Sequence, residues 1–438
     1  MSLPASHVVY CIAFLTWLKV VEQVFAVLRK VLGKWDVQDV PGGKVLWKPI
    51  RARIKEPVEL AKVEDFLCFG GQVEDLSSCL ATRSSLYCFT PAGDAVFVRG
   101  KPGAAEFYES KNAFLFDAQF SEATSVAVVS KDDFHKLAKM AGEPNVPLAM
   151  IYNTTRCGSM VICDLLAAGG AAVLKEPDAL TWLLFHPMAE ELAPSAFKVL
   201  CACATRRHSW ETPRSMVVIK PRGHCTKLLP MLTKAAPYAQ NFFLYRQGLD
   251  TVNSMTRAYG SQPIDVLRQY TLRSPVLRRL FPSVVPAIKF GTVLCDEAEF
   301  EWLKNDATFL TLEAFERNTL VYGFIVRSYL KARNSGVRIT GIWYEDLVKQ
   351  PAKIASKVFK ACSLDPVVKE AEATKALGND SHAGGLFSSG RLKGFKMPAV
   401  SLEEDARHRL LCKKLGVPML DTKGKEAILP GTIFLDAA

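Results

Sequence analysis

Short apolar runs alternate with segments of helical character between residues 148 and 361, and this alternation constrains the fold more than any other feature. Strands that alternate with helices predict a parallel sheet covered on both faces. We therefore predict an α/β fold in which a ligand binds at the carboxyl ends of the strands. The predicted strands are 148–152, 171–174, 215–220, 241–245 and 339–343, and the predicted helices are 159–168, 226–235 and 351–361.

A different pattern precedes this domain, which we place at residues 146–438. Residues 41–145 predict a small α+β unit, because β-rich runs flank the turn residues Pro91–Asp94 as in a hairpin. The predicted strands of this unit are 86–90, 95–98, 113–116 and 125–129, and its predicted helix is 132–140.

Residues 1–40 predict an apolar helix with a narrow polar stripe, formed by Thr16, Lys19, Gln23 and Lys30. Three interpretations stay open: a helix in a membrane interface, a marginal spanning anchor, or a helix packed on the protein itself. A membrane contact would involve residues 8–32. We predict a cytoplasmic or membrane-associated protein, with the Golgi lumen as the alternative.

Charge and cysteine usage narrow the classes of partner. The formal net charge of +11 favours an anionic partner such as a nucleotide or an acidic glycan. No basic stripe with interleaved aromatic residues and no zinc-finger spacing is present, so nucleic acid is not a predicted partner. Several of the twelve cysteines lie in apolar runs, which favours free thiols in a reducing compartment. The sequence gives no basis for an oligomeric state.

A polar loop, Asn153–Met160, joins the first predicted strand to its helix. Such a loop directs backbone N–H groups and the helix dipole at one point, which predicts an anion site. Arg156 adds a full charge, Ser159 adds a hydroxyl, and Gly158 allows a close approach of the ligand. The spacing of a nucleoside-triphosphate loop, G-x-x-x-x-G-K-[ST], is absent.

A second candidate anion site follows the fourth predicted strand. Arg246 stands at the end of that strand and Ser254 follows eight residues later. A guanidinium fork with a hydroxyl suits a phosphate monoester. The alternative is that Arg246 forms a surface ion pair.

Together these segments resemble the sulfotransferase family, whose fold is similar to that of the P-loop NTPases. The frame Thr155-Arg156-Cys157-Gly158-Ser159-Met160 resembles the loop that holds the 5′-phosphosulfate of 3′-phosphoadenosine 5′-phosphosulfate (PAPS). Arg246 and Ser254 match the pair that holds the 3′-phosphate. The resemblance covers residues 146–400 and is closer to the carbohydrate and bacterial type than to the cytosolic small-molecule type. It also includes Val218-Ile219-Lys220, Leu228-Leu229-Pro230 and Tyr344-Glu345-Asp346-Leu347.

This chain departs from the family pattern at three places. Cys157 replaces a serine and Met160 replaces a hydroxyl residue. The loss of one hydrogen bond to a charged group weakens binding by about 1.5–3 kcal/mol, so weaker donor binding is expected. Nearer the C-terminus, Arg391, Lys393 and Gly394 only loosely resemble the segment that clamps the 3′-phosphate.

Two residues are candidates for the base that takes the proton of the acceptor. Glu176 directly follows the second predicted strand, where a Glu-Pro pair lines the acceptor pocket in carbohydrate-type members, and we favour it. His224 lies after the third strand but is out of register with the histidine of the small-molecule members, and a solvated surface histidine is the alternative. The resemblance places Lys220 near the bridging oxygen of the donor.

The expected function is transfer of a sulfuryl group from PAPS to a hydroxyl or amine on a carbohydrate, lipid or small metabolite. A nucleotide kinase is a poorer alternative because the Gly-Lys-[ST] segment is missing. A third alternative is a sulfotransferase-like protein that binds the nucleotide without turnover and acts as a binding or scaffold partner. The chemistry requires no metal ion.

Overall fold

The computed structural model describes residues 42–55, 59–109, 113–206, 213–260, 312–365, 370–378, 400–418 and 428–433, with single positions between 13 and 28 and at 279.

The N-terminal unit contains an antiparallel sheet in the order β2-β1-β6-β5-β4, and β3 also pairs with β1. Its strands are β1 (Lys44–Arg53), β2 (Phe66–Cys68), β3 (Gln72–Asp75), β4 (Ser84–Phe89), β5 (Ala95–Gly100) and β6 (Ala123–Val129). Its helices are α1 (Leu115–Glu122) and α2 (Lys131–Ala141), with 3-10 turns at Val63–Asp65, Leu76–Leu80 and Phe107–Glu109.

The predicted hairpin is confirmed, since β4 and β5 pair antiparallel around residues 90–94. The predicted strand at 125–129 and helix at 132–140 correspond to β6 and α2. The predicted strand at 113–116 is wrong, because Leu115 begins the helix α1. A short apolar run with two phenylalanines does not distinguish a strand from a buried helix turn.

The remainder of the chain forms a five-stranded sheet in the order β11-β10-β7-β9-β8, and every pairing is parallel. Its strands are β7 (Leu148–Asn153), β8 (Ala172–Lys175), β9 (Val217–Lys220), β10 (Gln240–Tyr245) and β11 (Thr340–Trp343). Its helices are α3 (Ser159–Ala168), α4 (Asp178–Trp182), α5 (Ala189–Thr205), α6 (Leu229–Ala235), α7 (Gly248–Gly260), α8 (Ala314–Asn334), α9 (Tyr344–Lys349), α10 (Pro351–Ala361), α11 (Glu370–Gly378) and α12 (Leu402–Lys414).

This architecture confirms the predicted fold class, a parallel sheet flanked by helices with a small α+β unit in front. All five predicted strands are present to within two residues at either end. The predicted helix at 226–235 has two parts, a 3-10 turn at Gly223–Leu228 and then α6. Pro230 lies in the first turn of α6, where its missing N–H leaves no intrahelical hydrogen bond unmade.

The buried side chains form two clusters, one on each face of the parallel sheet. Met150 and Tyr152 of β7 belong to one cluster, and Ala149 and Ile151 belong to the other. This division follows from the period of two along a strand. The first cluster also contains side chains of the N-terminal unit, including Tyr87, so that unit and one face of the parallel sheet share a core.

The described positions between residues 13 and 28 are helical. Trp17, Val20, Val24 and Val27 are exposed there. No helix in the described part of the chain is long and apolar enough to cross a membrane. The expected membrane contact of residues 8–32 stays a prediction.

The ten described cysteines are free thiols, and nine of them are buried. Burial raises the pKa of several of these thiols, for example that of Cys163 to about 12. They therefore act as small core residues, as their positions in apolar runs predict.

Candidate functional site

The loop between β7 and α3 has an unusual backbone. Thr155 and Arg156 have φ values of 62° and 45°, and Gly158 has a φ of 78°. Asn153 fixes the loop, since its Oδ1 accepts the Thr155 N–H at 3.0 Å and its Nδ2 donates to the Pro221 carbonyl at 3.1 Å. Left-handed conformations at non-glycine residues are costly and concentrate at functional sites. The loop is thus built to hold a specific shape at the carboxyl end of the central strand.

The side chains of Cys157 and Met160 both lie inside the protein. The Cys157 thiol is fully buried and donates to the Leu244 carbonyl at 3.3 Å, so it faces β10. Met160, in the first turn of α3, is 5% exposed. Ser159, the first residue of α3, is also buried. Any contact of Cys157 with a ligand in the loop is therefore left to its backbone N–H.

The two candidate anion sites are adjacent in the structure. Arg156 Nε donates to Ser254 Oγ at 3.3 Å, which joins the loop after β7 to helix α7 after β10. The strands β7 and β10 pair directly, so their carboxyl ends lie side by side. The four residues that the sequence singles out in these segments, Arg156, Ser159, Arg246 and Ser254, thus belong to one edge of the sheet.

Tyr344, which the sequence analysis names in the Tyr-Glu-Asp-Leu segment without giving it a role, lies beside the two candidate anion sites. Its ring lies 4.7 Å from the guanidinium carbon of Arg246. A Cβ atom on Gly158 would come within 2.7 Å of the same ring, so glycine is required there on two grounds. Tyr344 opens the Tyr-Glu-Asp-Leu segment, and its position explains how that segment supports the site.

Arg246 has capacity for a further acceptor. One terminal nitrogen lies 3.4 Å from Asp250, so the ion pair considered as the alternative is present. However, Arg246 Nε is buried and has no hydrogen-bond partner among the described residues. Thr155 likewise buries a hydroxyl group without a partner in that part of the chain. These unsatisfied groups fit an anionic ligand, because buried polar groups are otherwise paired.

Glu176 and Lys220 form an ion pair at the ends of the neighbouring strands β8 and β9. The pairing of the strands places them together, since Lys175 stands opposite Lys220 and the Glu176 N–H donates to the Lys220 carbonyl at 2.6 Å. Glu176 also has a left-handed backbone, with a φ of 58°. Its side chain is 17% exposed, whereas that of Lys220 is 4% exposed. The carboxylate is therefore the partner that solvent or a substrate can reach.

A second, fully buried carboxylate lies behind this pair. Asp178 accepts hydrogen bonds from Arg222 at 2.8 and 3.1 Å and from the Ala61 N–H at 2.8 Å. Arg222 also lies 4.0 Å from Glu176. Lys55 of the N-terminal unit lies 3.7 Å from Asp178. Lys55, Asp178 and Arg222 each follow a strand end within three residues. That position is the signal in the sequence that could have marked them as candidate site residues.

His224 is partly buried, and the choice between a base and a solvated surface histidine stays a prediction. Burial, and then the charge of Arg222, lower the pKa of His224 to about 4. The imidazole is therefore neutral near pH 7. Glu176 acts in the opposite direction on the same pKa, so the two groups belong to one electrostatic cluster.

Three predicted residues, Arg391, Lys393 and Gly394, lie outside the described residues. So does most of the stretch between Tyr259 and Tyr329 that we expect to line the acceptor pocket.

No family model matches the chain. No curated protein matches it either. Among solved structures it is similar to the sulfotransferase domain of the olefin synthase from Synechococcus PCC 7002, with 12% sequence identity and a TM-score of 0.30, over 63% of this chain and 95% of that one. It is also similar to the sulfotransferase STF9 from Mycobacterium avium, with 12% identity and a TM-score of 0.35, over 65% of this chain and 80% of that one. At this identity neither likeness carries a function over to this chain.

Proposed function

We propose that this protein is a sulfotransferase that binds PAPS at the carboxyl edge of the parallel sheet and transfers its sulfuryl group to a hydroxyl or amine acceptor. The hydrogen bond between Arg156 and Ser254 carries this proposal. It joins the two segments that the sequence singles out as candidate anion sites, and to which the family resemblance gives the 5′- and 3′-phosphate ends of the donor. The direct pairing of β7 and β10 brings both segments to the same edge of the sheet.

The binding roles follow from the charges and unsatisfied donors. Arg156, Ser159 and the backbone N–H groups from Thr155 to Met160 hold the phosphosulfate, with the dipole of α3 behind them. Arg246 and Ser254 hold the 3′-phosphate, and the buried Arg246 Nε supplies a donor that the protein itself leaves unused. Arg391, Lys393 and Gly394 would complete the 3′-phosphate site. The donor needs no metal ion in this arrangement, because arginine and lysine balance its charge.

Glu176 and Lys220 supply the chemistry. The acceptor oxygen or nitrogen forms a bond to sulfur, and the bond between sulfur and the bridging oxygen breaks. The proton of the acceptor passes to Glu176. The electron pair stays on the bridging oxygen, where Lys220 neutralises the developing charge. Lys220 is nearly buried and is ion-paired with Glu176. His224 is the second candidate base, and its low pKa keeps it neutral and able to accept a proton.

The alternative function is a binding protein that holds the nucleotide without turnover. The burial of Cys157 and Met160 favours it, because both side chains withdraw from the loop where the family supplies hydroxyl groups. The residues that would bind the nucleotide are the same in the enzyme and in the binding protein. The two functions therefore differ in turnover and not in affinity for the nucleotide.

Isothermal titration with adenosine 3′,5′-bisphosphate (PAP) tests the donor site. We expect micromolar binding by the wild-type protein and a loss of about 2 kcal/mol or more in Arg246→Ala, because a charge-assisted pair is removed. Arg257→Ala, on the same helix α7, is the matched control and should bind as the wild type does. A folded protein that does not bind PAP would refute the proposal. Release of PAP from PAPS in an acceptor panel then distinguishes the enzyme from the binding protein.

A further inference from the structure

Five charged side chains of alternating sign run from the N-terminal unit into the candidate site. Lys55 lies 3.7 Å from Asp178, Asp178 pairs with Arg222, Arg222 lies 4.0 Å from Glu176, and Glu176 pairs with Lys220. We call this series the charge chain. Only Glu176 has a side chain more than 10% exposed, so the charge chain reaches solvent at this one carboxylate, between Arg222 and Lys220.

The N-terminal unit holds the charge chain from the buried side. The Ala61 N–H donates to Asp178 Oδ2 at 2.8 Å. Two rings before and within α1 cover the cations, with Phe116 at 4.5 Å from the Arg222 guanidinium carbon and Phe114 at 5.9 Å from the Lys220 ammonium. These contacts exclude water from the two cations that flank Glu176. The Arg222 guanidinium has little freedom to move, because the Phe116 ring covers one of its faces and Asp178 accepts two of its hydrogen bonds.

Buried ion pairs rarely stabilise a protein relative to a well-packed apolar core. Removal of one partner leaves the other charge buried without compensation. A chain of five such groups therefore requires another reason. Its exposed member, Glu176, is the carboxylate that the proposed mechanism uses as the base, and the backbone there is left-handed.

We propose that Lys55, Asp178 and Arg222 are positioning residues, through which the N-terminal unit sets the orientation and the electrostatic environment of Glu176. This inference rests on the proposed function, because it assigns a role to residues behind the proposed base. It makes the N-terminal unit a part of the catalytic machinery, although the sequence resemblance does not extend to that unit.

The alternation of charge gives each substitution a distinct expected sign. Arg222→Gln removes a cation beside Glu176 and should move the acid limb of the kcat profile to higher pH, by about one unit. Asp178→Asn leaves Arg222 unneutralised and should move the limb to lower pH by a similar amount. Lys55→Met, which does not touch Glu176, should move the limb to higher pH by a smaller shift. Other titratable groups near Glu176 include Lys220, His224, Asp117, Cys163 and Cys225.

The experiment measures release of PAP from PAPS, with the best acceptor of the panel, between pH 3 and 8.5. Glu176→Gln identifies the limb, since it should lower kcat by about 100-fold or more and remove the limb. In each positioning variant we expect kcat to fall about 10- to 100-fold. The PAP dissociation constant should stay within about threefold of the wild-type value, a free-energy change below 1 kcal/mol. Arg99→Gln is the matched control, because Arg99 pairs with Glu74 inside the N-terminal unit.

Opposite movements of the limb in Arg222→Gln and Asp178→Asn support the inference, because general destabilisation would not reverse its sign. Limbs that stay in place or move together overturn it and leave the proposed function intact. If a single-charge variant fails to fold, the double variant Arg222→Gln/Asp178→Asn removes both charges at once, and an unchanged kcat there overturns the inference. A wild-type protein that binds PAP but never releases it from PAPS refutes the enzymatic function, and the inference with it.

Discussion

Cys157 and Met160 are the two residues at which the candidate site departs from the sulfotransferase pattern, and the structure separates their effects. The Cys157 thiol donates to a carbonyl of β10 inside the core. A serine hydroxyl at the same place can make that bond, so Cys157→Ser should leave PAP affinity within about twofold of wild type. Titration of PAP measures this, and a large gain would show that the thiol faces the ligand after all.

Met160→Ser should act differently. The new hydroxyl would stand in the first turn of α3, next to the loop that we propose for the phosphate. A hydrogen bond to a charged group contributes about 1.5–3 kcal/mol, so PAP should bind about ten- to hundredfold more tightly. The same titration tests the change, with Met140→Ser on the exposed face of α2 as the control. Unchanged affinity would mean that position 160 is too far from the phosphate.

The buried carboxyl of Asp65 predicts that the stability of the folded protein depends on pH, and this effect is separate from the proposed reaction. Burial raises the pKa of this carboxyl to about 6, although Lys55 and a 2.6 Å hydrogen bond from Tyr87 act in the opposite direction. The folded protein thus binds this proton more tightly than the unfolded chain does. The resulting stability is fully present below the ordinary pKa near 4 and is lost as the pH rises through 6, by about 3 kcal/mol.

Urea unfolding of wild type and Asp65→Asn at pH 4.5 and pH 7 measures this effect. The asparagine variant has no carboxyl to ionise, so its stability relative to wild type should improve at the higher pH. A difference that does not change with pH would show that Asp65 titrates normally in the folded protein.

At the scale of elements, the sequence predicts the parallel sheet well and the N-terminal sheet poorly, and the reason is physical. Strand β7 is buried along its whole length and reads as one apolar run. Strand β1 contains Pro49 and three arginine or lysine residues after Trp47, and its residues are exposed or partly buried over most of its length. Its strand character comes from pairing with β2, β3 and β6, which are distant along the chain. The local sequence pattern of a strand does not show which distant strands it pairs with.

The same distinction applies to the candidate site. The sequence could single out Arg156, Ser159, Arg246 and Ser254 as candidates, because each holds a fixed offset from a strand end. It could not single out Tyr344 and Asp178, since an aromatic residue and an aspartate after a strand are common in any α/β protein. Their roles depend on what lies opposite them, namely Arg246 for Tyr344 and Arg222 for Asp178.

At the scale of the whole molecule, the two sheets share one apolar core, so the boundary in the sequence near residue 145 is not a boundary in packing. Tyr87 and Phe97 of the N-terminal unit and Phe197 and Leu200 of α5 belong to the same buried cluster. Trp182 of α4 donates to the Ala61 carbonyl, and Asp178 of α4 accepts from the Ala61 N–H. The unit therefore packs against α4 and α5, on the side of the parallel sheet that the first cluster covers.

This packing predicts the result of truncation. Residues 146–438 expressed alone would expose the apolar face of β8 and α5 and leave Asp178 without its hydrogen bond from Ala61. A domain with a face of this kind uncovered aggregates or loses its fixed packing. We expect no cooperative thermal transition and no PAP binding from residues 146–438 alone. Co-expression with residues 1–145 as a separate chain should restore both, because the two pieces cover each other without needing the peptide bond between them. A truncated protein that melts cooperatively and binds PAP would show instead that the parallel sheet folds independently and that the N-terminal unit is an accessory to it.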